Sequence, residues 1–309
     1  MNVAFFIFNR PDTTARVFEA IAAAQPQRLL VVADGARLDK PDEANLVAQT
    51  RAIIDQVDWP CLVDTNFATE NLGCKPRVAS GLQWVFEQVT EAIILEDDCL
   101  PDPSFFDYCT ELLERYRDDE RVAAISGDNF QNGISRTKDS YYFSKYFHCW
   151  GWASWRRVVQ QVDFEMASWP ELDQRDGLQD WADSDAELRY WRDMFALQHA
   201  GQINSWAYPF FYSCWERAGL TILPDVNLIS NIGFDQEATH TTSSESDLAN
   251  LPTHNIGQLK HPGVVERHQV ADLYTFDNVF KPQTDEPTGG KKKKSLFRSL
   301  KRLIRPPQV

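Results

Sequence analysis

EAIILEDDCLPDPSFF, residues 91–106, runs through four apolar residues from Ala92 to Leu95 and then turns abruptly acidic at Glu96-Asp97-Asp98. An apolar run of this length bounded by turn signals fits a strand buried on both faces of a parallel sheet. The carboxylates then lie at its C-terminal end, where open α/β sheets bind their ligands. Downstream, Asp102 suits an N-cap and Pro103 the first position of an amphipathic helix over 103–117. Three adjacent acids repel one another and are costly unless a cation or a donor-rich ligand joins them. Hard oxygen donors suit Mg²⁺ or Mn²⁺, often shared with substrate phosphates. The same residues also describe a solvated acidic turn after a strand, and the local sequence leaves both readings open.

Outward from this stretch, apolar runs over 3–8, 28–33, 61–65 and 122–126 predict further strands. Helical patterns over 11–24, 42–57 and 76–89 alternate with them. Such alternation predicts an α/β fold with a doubly wound, mostly parallel sheet. From Gly127 the rhythm changes. Loop residues over 127–133 lead into an aromatic block, YYFSKYFHCWGWASWRR, over 141–157. Residues 163–185 are rich in Trp and acids, 187–199 read as a helix, 203–208 as a short strand and 209–217 as a helix. Two apolar runs flank Pro224-Asp225, and a polar stretch, THTTSSESD, follows at 239–247. There is no internal repeat.

The 309 residues suffice for one large α/β domain. Net charge is −14, yet residues 291–309 hold eight Lys and Arg and no acid, so the body is more acidic than the total indicates. An acidic body excludes nucleic acid as a partner of the folded domain. Six scattered cysteines form no C-x-x-C pair, so neither a zinc site nor a thioredoxin motif is indicated. The apolar start, residues 3–8, is too short for a signal peptide, and no stretch reaches the ~20 apolar residues of a membrane span. A soluble cytoplasmic protein is the expectation. Ten Trp and nineteen Phe are numerous; core filling is their commoner use, saccharide stacking another.

Several chemistries are unsupported. No G-x-G-x-x-G follows the first strand, and neither a G-x-x-x-x-G-K-[ST] loop nor a G-x-S-x-G elbow occurs. Instead FNRP (8–11), ADG (33–35), ENLGC (70–74), the acidic stretch, ISGDNF (125–130), WGWASW (150–155) and NIGFDQEATHTT (231–242) occur in order. Over roughly residues 1–270 this set resembles bacterial nucleotide-diphospho-sugar transferases of the GT-A fold. It is more distantly similar to inverting N-acetylglucosaminyltransferases with an EDD motif. The resemblance implies a nucleotide-binding half over 1–126, an acceptor half with an aromatic subregion over 127–270, and a linker and basic tail over 271–309.

By that resemblance, Asn9, Arg10 and Asp34 face the base and ribose of the nucleotide, Arg77 pairs with its diphosphate and Asn71 shapes the ribose pocket. Asp98 is the direct metal ligand, Asp97 and Glu96 hold ribose or metal-bound water, and His240 contacts metal or pyrophosphate. Trp150, Trp152 and Trp155 line the sugar side, although a row of aromatics is as often core. The cofactor implied is Mn²⁺ or Mg²⁺, the donor a nucleotide-diphosphate sugar with UDP favoured, and the acceptor a glycan or lipid-linked glycan. An inverting transfer needs a general base. The resembled families carry an Asp after a Trp before the late helix, whereas this chain reads Asn204-Ser205-Trp206-Ala207-Tyr208. That departure leaves three openings: a shifted site, a base from elsewhere (Glu216, Asp128 or Asp225), or a non-catalytic homologue that binds glycan or nucleotide. A sugar nucleotidyltransferase is a further alternative, disfavoured by the missing glycine-rich loop. In the tail, Leu296, Phe297, Leu300, Leu303 and Ile304 share one helical face among basic residues. This is the pattern of an interfacial helix at an anionic membrane, and equally of a solubilising tail.

Overall fold

The computed structural model describes residues 1–234 and 248–281. The chain enters as β1 (Asn2–Ile7), α1 (Pro11–Ala24), β2 (Arg28–Ala33), α2 (Glu43–Ala52), β3 (Leu62–Phe67), α3 (Cys74–Gln88) and β4 (Glu91–Glu96). Then come β5 (Cys99–Pro101), α4 (Ser104–Arg115), β6 (Val122–Ser126), β7 (Tyr141–Ser144), β8 (Trp152–Trp155), α5 (Arg156–Val159) and α6 (Trp169–Gln174). The remaining elements are α7 (Asp185–His199), α8 (Ala207–Glu216), β9 (Leu220–Pro224), β10 (Ile229–Asn231) and α9 (Gln269–Thr275).

Eight strands form one sheet in the order β3-β2-β1-β4-β8-β6-β9-β7. Six run in one direction, while β8 and β7 oppose their neighbours. The expected mostly parallel α/β sheet is therefore present, with the WGWASW block inserted between β4 and β6. Because successive strand residues point to opposite faces, two apolar layers result. Ala4, Phe6, Leu30, Val32 and Ile94 pack with α3, α7 and α8, whereas Val3, Phe5, Leu29, Val31, Ile93 and Leu95 pack with α1 and α4.

One local expectation needs correction. Residues 203–206 form no strand: Trp206 adopts helical dihedrals and starts α8 directly. The apolar residues there, Ile203 and Trp206, are single anchors, each buried in the helical layer. The residues between the acids and α4, to which the sequence assigned no element, form a short strand. Cys99–Pro101 first pairs antiparallel with Ile229–Asn231, a partner from far downstream in the chain. Helix α4 then starts at Ser104, where Asp102 Oδ1 accepts from the Ser104 N–H at 2.9 Å and from its hydroxyl at 2.6 Å.

A buried ionic network fastens α7 and α9 to β7. Lys145, fully enclosed, pairs with Asp183 at 2.8 Å and Glu187 at 2.6 Å. Arg267 joins Asp183 to Asp272, which also accepts from the Ser144 hydroxyl at 2.5 Å. Burial pushes the Asp272 carboxyl up to about 6 despite these donors. Its folded pKa lies above that of the unfolded chain, so the proton favours the fold. That contribution is complete below about pH 4 and lost as pH rises through about 6. Asp183 is shifted the other way, burial being outweighed by its bonds to Lys145 and Arg267, so its own loss occurs at lower pH. Urea melts of wild type are expected to weaken between about pH 4 and 6, and Asp272→Asn to remove ~2–3 kcal/mol of that change. An unaltered slope would remove Asp272 as its source.

Candidate active site at the carboxyl edge of the sheet

Strands β1 and β4 are parallel neighbours with Phe6 opposite Glu96, so the segments following them emerge side by side. FNRP and EDD therefore meet. Asp97 and Asp98 are buried, and the Arg10 guanidinium bridges them: it pairs with Asp97 and donates to Asp98 Oδ2 at 3.0 Å. The Phe8 N–H donates to Asp97 Oδ2 at 3.2 Å. Burial opposes the Arg10 charge, but the two aspartates outweigh it and hold its pKa above the ordinary value. Glu96, half-buried, lies near the Trp206 side chain, which favours its charged form. Its carboxyl is raised by burial and then by Asp98 and Asp97; that of Asp97 is raised by burial and Asp98 against the pull of Arg10.

Three carboxylates thus face a single guanidinium, and the deficit is one of positive charge. Hard oxygen donors with unspent negative charge fit a divalent cation. Among the described residues no three His, Cys, Asp or Glu side chains converge as a ready ligand set. A cation here would draw its remaining ligands from phosphate or water.

The late chain seals the same turn. The Ile232 N–H donates to the Asp98 carbonyl at 2.8 Å, and at Gly233 an added Cβ would collide with the Asp98 carboxylate and Arg10. Position 233 therefore requires glycine for close approach, not for an unusual φ. His240 lies outside the described residues, as do the polar stretch 239–247 and the basic tail.

The other nucleotide-side residues gather at the same edge but are committed to loop structure. The Asp34 carboxylate accepts four N–H donors, from Gly35, Leu72, Gly73 and the Asn71 amide, at 2.9–3.0 Å. Asn71 also donates to the Gly35 carbonyl at 2.9 Å. Together they join the loop after β2 to the one before α3. Arg77, buried, donates to the Ala33 and Asn66 carbonyls and to the Asn66 side chain. Its guanidinium is directed at the strand ends rather than offered to a diphosphate. Asn9 donates to Glu43 at 2.9 Å, and Glu43 also holds Arg37.

The aromatic and base assignments divide. Trp152 and Trp155 are enclosed in the two core layers, which removes Trp152 as a direct sugar contact. Trp150 alone of the three is half-buried, edge-on to Phe130 at 5.2 Å and to Phe234 at 5.6 Å. Asp128 is buried and paired through Oδ1 with His148 Nδ1 at 2.6 Å. Burial raises its carboxyl while His148 lowers it, the net being upward. Asp225 is spent on Ser135 and the Arg136 N–H. Ala207 is the first residue of α8, beside Trp206, which lies near Glu96. Glu216 ends the same helix, ~14 Å along its axis, and its nearest bonding partner is the Tyr212 hydroxyl at 3.5 Å. The sequence offers Glu216 as a base from elsewhere because Ala207 stands in the acid's place, and Glu216 lies at the opposite end of α8 from Trp206. Glu216→Gln is therefore expected to leave nucleotide affinity and turnover within about twofold of wild type; a larger loss would return it to the site.

Neither Arg10 as the counter-ion of the acids, nor Trp206 on Glu96, nor His148 on Asp128 was foreseen. For Arg10 a signal existed, since FNRP and EDD end neighbouring parallel strands. For the other two, nothing in the local sequence points to the partner.

No family model matches the sequence, and no curated protein matches it. Among solved structures the chain is similar to a mannosyltransferase from Pyrobaculum calidifontis in complex with GDP-Man and Mn²⁺, at 16% identity and a TM-score of 0.36, covering 52% of this chain and 46% of that one. It is similar to S. aureus TarS 1-349 at 9% identity and 0.40, covering 74% and 60%. A 4-diphosphocytidyl-2C-methyl-D-erythritol synthase from Anaerococcus prevotii aligns at 9% and 0.31, covering 62% and 84%. The chain spans less than half of the mannosyltransferase and three fifths of the TarS chain. At these levels the likeness is too slight to assign an activity.

Proposed function

We propose that this chain is a glycosyltransferase that moves a sugar from a nucleotide-diphosphate donor to a glycan or lipid-linked acceptor, with inversion and with help from a divalent cation. The observation that supports it most is the acid cluster itself. Three carboxylates at the carboxyl edge of a mostly parallel sheet are balanced by one guanidinium, in a chain whose ordered motifs resemble such transferases. Asp98 is the proposed metal ligand, with Asp97, Glu96 and a residue beyond those described, His240, around it. A bound Mn²⁺ or Mg²⁺ would neutralise charge on the departing diphosphate. Arg10 holds Asp97 and Asp98 in register and brings a positive charge to the diphosphate side. Trp206 lies near Glu96, and Asp34 with Asn71 holds the loops that would frame the nucleotide. UDP as the nucleotide follows from the resemblance alone.

The second reading, a homologue that binds without turnover, draws on Ala207, which begins α8 where the resembled families carry an acid. Contact with an anionic membrane through residues 291–305 is likewise a proposal; no helix of the described residues is long and apolar enough to cross a membrane. The test is thermal stability against UDP-, GDP-, CDP- and dTDP-sugars, with and without Mn²⁺. Binding to the native state raises stability by mass action, ~2.7 kcal/mol at a hundredfold excess over Kd. A metal-dependent shift for one nucleotide class is expected. Absence of any shift in folded protein would overturn the donor site, and a shift without donor consumption would favour the binding-only reading.

A further inference from the structure

We propose that β3, at one edge of the sheet, is a dimer interface. A second copy of this chain pairs with it antiparallel, β3 against β3, about a twofold axis at Thr65. The pairing joins two eight-stranded sheets into one. Because the two copies run in opposite directions, their acid clusters lie on opposite sides of the joined sheet and neither is covered. The inference does not rest on the transferase reading.

The sheet ends in β3 on one side and β7 on the other. An edge strand presents a row of unpaired N–H and C=O groups, which proteins ordinarily cover, or guard with Lys, Pro or a bulge. The β7 edge is covered by the late chain. There the His268 N–H donates to the Phe143 carbonyl at 2.8 Å and the Ser140 N–H to the Lys260 carbonyl at 2.9 Å, and all four residues of β7 are buried. Among the described residues no strand pairs with the outer edge of β3. Its sequence, LVDTNF, holds neither Lys nor Pro, and its register with β2 is unbroken by a bulge. Every side chain along it is half-buried or exposed, Leu62 by 57%. Two edges of one sheet are thus treated differently, and β3 is the one left open.

The backbone sets the register. The Leu62 N–H donates to the Gln27 carbonyl and the Ala68 N–H to the Ala33 carbonyl, both at 2.9 Å. Since a strand repeats every two residues, positions 62, 64, 66 and 68 aim their backbone groups at β2, and Val63, Thr65 and Phe67 aim theirs outward. Antiparallel pairing centred on Thr65 uses all three. Thr65 meets the partner's Thr65, and Val63 meets the partner's Phe67 in both directions, for about six backbone hydrogen bonds. The side chains agree with that register. Val63 and Phe67 are half-buried beside the α1 layer, and aromatic with β-branched and Thr with Thr are favourable cross-strand pairs. On the other face Asp64 meets the partner's Asn66, and Asp64 carries its own counter-charge, Arg28 at 2.8 Å. Moving the axis one residue, to Asp64, would set two carboxylates directly opposite, which is destabilising. A surface complementary to itself in one register is what a twofold dimer requires.

Sedimentation velocity of the full chain, from about 1 to about 100 µM, tests the pairing; one short strand pair is a small interface, so a reversible dimer that grows with concentration is expected. Thr65→Lys and Thr65→Glu each place like charges on the axis and are expected to weaken the dimer by about tenfold or more, while Thr65→Val keeps it. Thr65 is exposed, so all three variants are expected to melt close to wild type. Mixing the Lys and Glu variants is expected to restore a dimer of one of each, because pairing position 65 with itself sets the opposite charges together. Hydrogen exchange of wild type reads the same contact without any variant. The amides of Val63, Thr65 and Phe67 are expected to slow as concentration rises, and those of Leu62, Asp64 and Asn66, already turned to β2, to stay constant. A chain that remains monomeric over that range would overturn the proposal, as would a dimer indifferent to both charges. So would protection of the three outward amides that is independent of concentration, since another segment of the same chain would then cover the edge.

Discussion

Asp98→Ala is expected to abolish metal-dependent nucleotide binding while leaving the melting temperature close to that of wild type. The two effects part because Asp98 contributes little to the fold. Its Oδ2 accepts from Arg10 and its Oδ1 from the Cys99 thiol at 3.4 Å. Removing it leaves Arg10 paired with Asp97, so no buried charge is orphaned, and repulsion on Glu96 and Asp97 falls. A stability change within ~1 kcal/mol follows from that balance. Binding has no such compensation, since Asp98 is the proposed direct ligand. A loss of at least a hundredfold, ~2.7 kcal/mol, is expected in Mn²⁺-dependent affinity. Calorimetric titration of the responding nucleotide checks it, and unchanged affinity would sink the metal assignment.

His148→Ala is expected to do the opposite, lowering stability steeply. Asp128 and His148 are both buried, and Asp128 Oδ1 meets His148 Nδ1 at 2.6 Å. Truncating the imidazole leaves a buried carboxylate without its partner, removes the ring packed on Phe130 and opens a cavity. Breaking such a pair from one side costs ~3–5 kcal/mol. Asp128→Asn/His148→Ala together is expected to cost less than the two single changes added, because the second removes a charge already stranded by the first. Urea titration of the three variants gives the cycle. A cost below ~1 kcal/mol for His148→Ala would show that Asp128 does not depend on the imidazole.

How far the chain could be read from its residues depended on the range of the interactions. The strands β1, β2, β4 and β6 are continuous apolar runs because both faces are covered, and that signal is local. The acids stood out because three like charges at the end of such a run demand compensation. The compensating group was Arg10, 87 positions away from Asp97, and only strand adjacency reveals it. WGWASW read as a sugar-facing block, yet the antiparallel insertion of β8 between β4 and β6 turns Trp152 inward and leaves Trp150 at the edge. Trp206 lies in a segment, residues 203–208, that read as a short strand and forms none. Its neighbour is Glu96, a proximity between separate halves of the chain that no window of sequence contains.

The brace on the acidic turn also has a consequence in time. Asp98 is held by the Ile232 N–H, and Cys99 pairs with Asn231 across the small antiparallel ribbon. On the ribosome, the strands and the acids emerge long before that brace does. Closing so long a loop is slow and entropically costly compared with forming the local helices. The nascent chain therefore carries its three carboxylates on a turn held from the N-terminal side alone, by Arg10 and the Phe8 N–H, until synthesis has passed Gly233. The acidic turn reaches its final form only once residues 231–233 have docked on it.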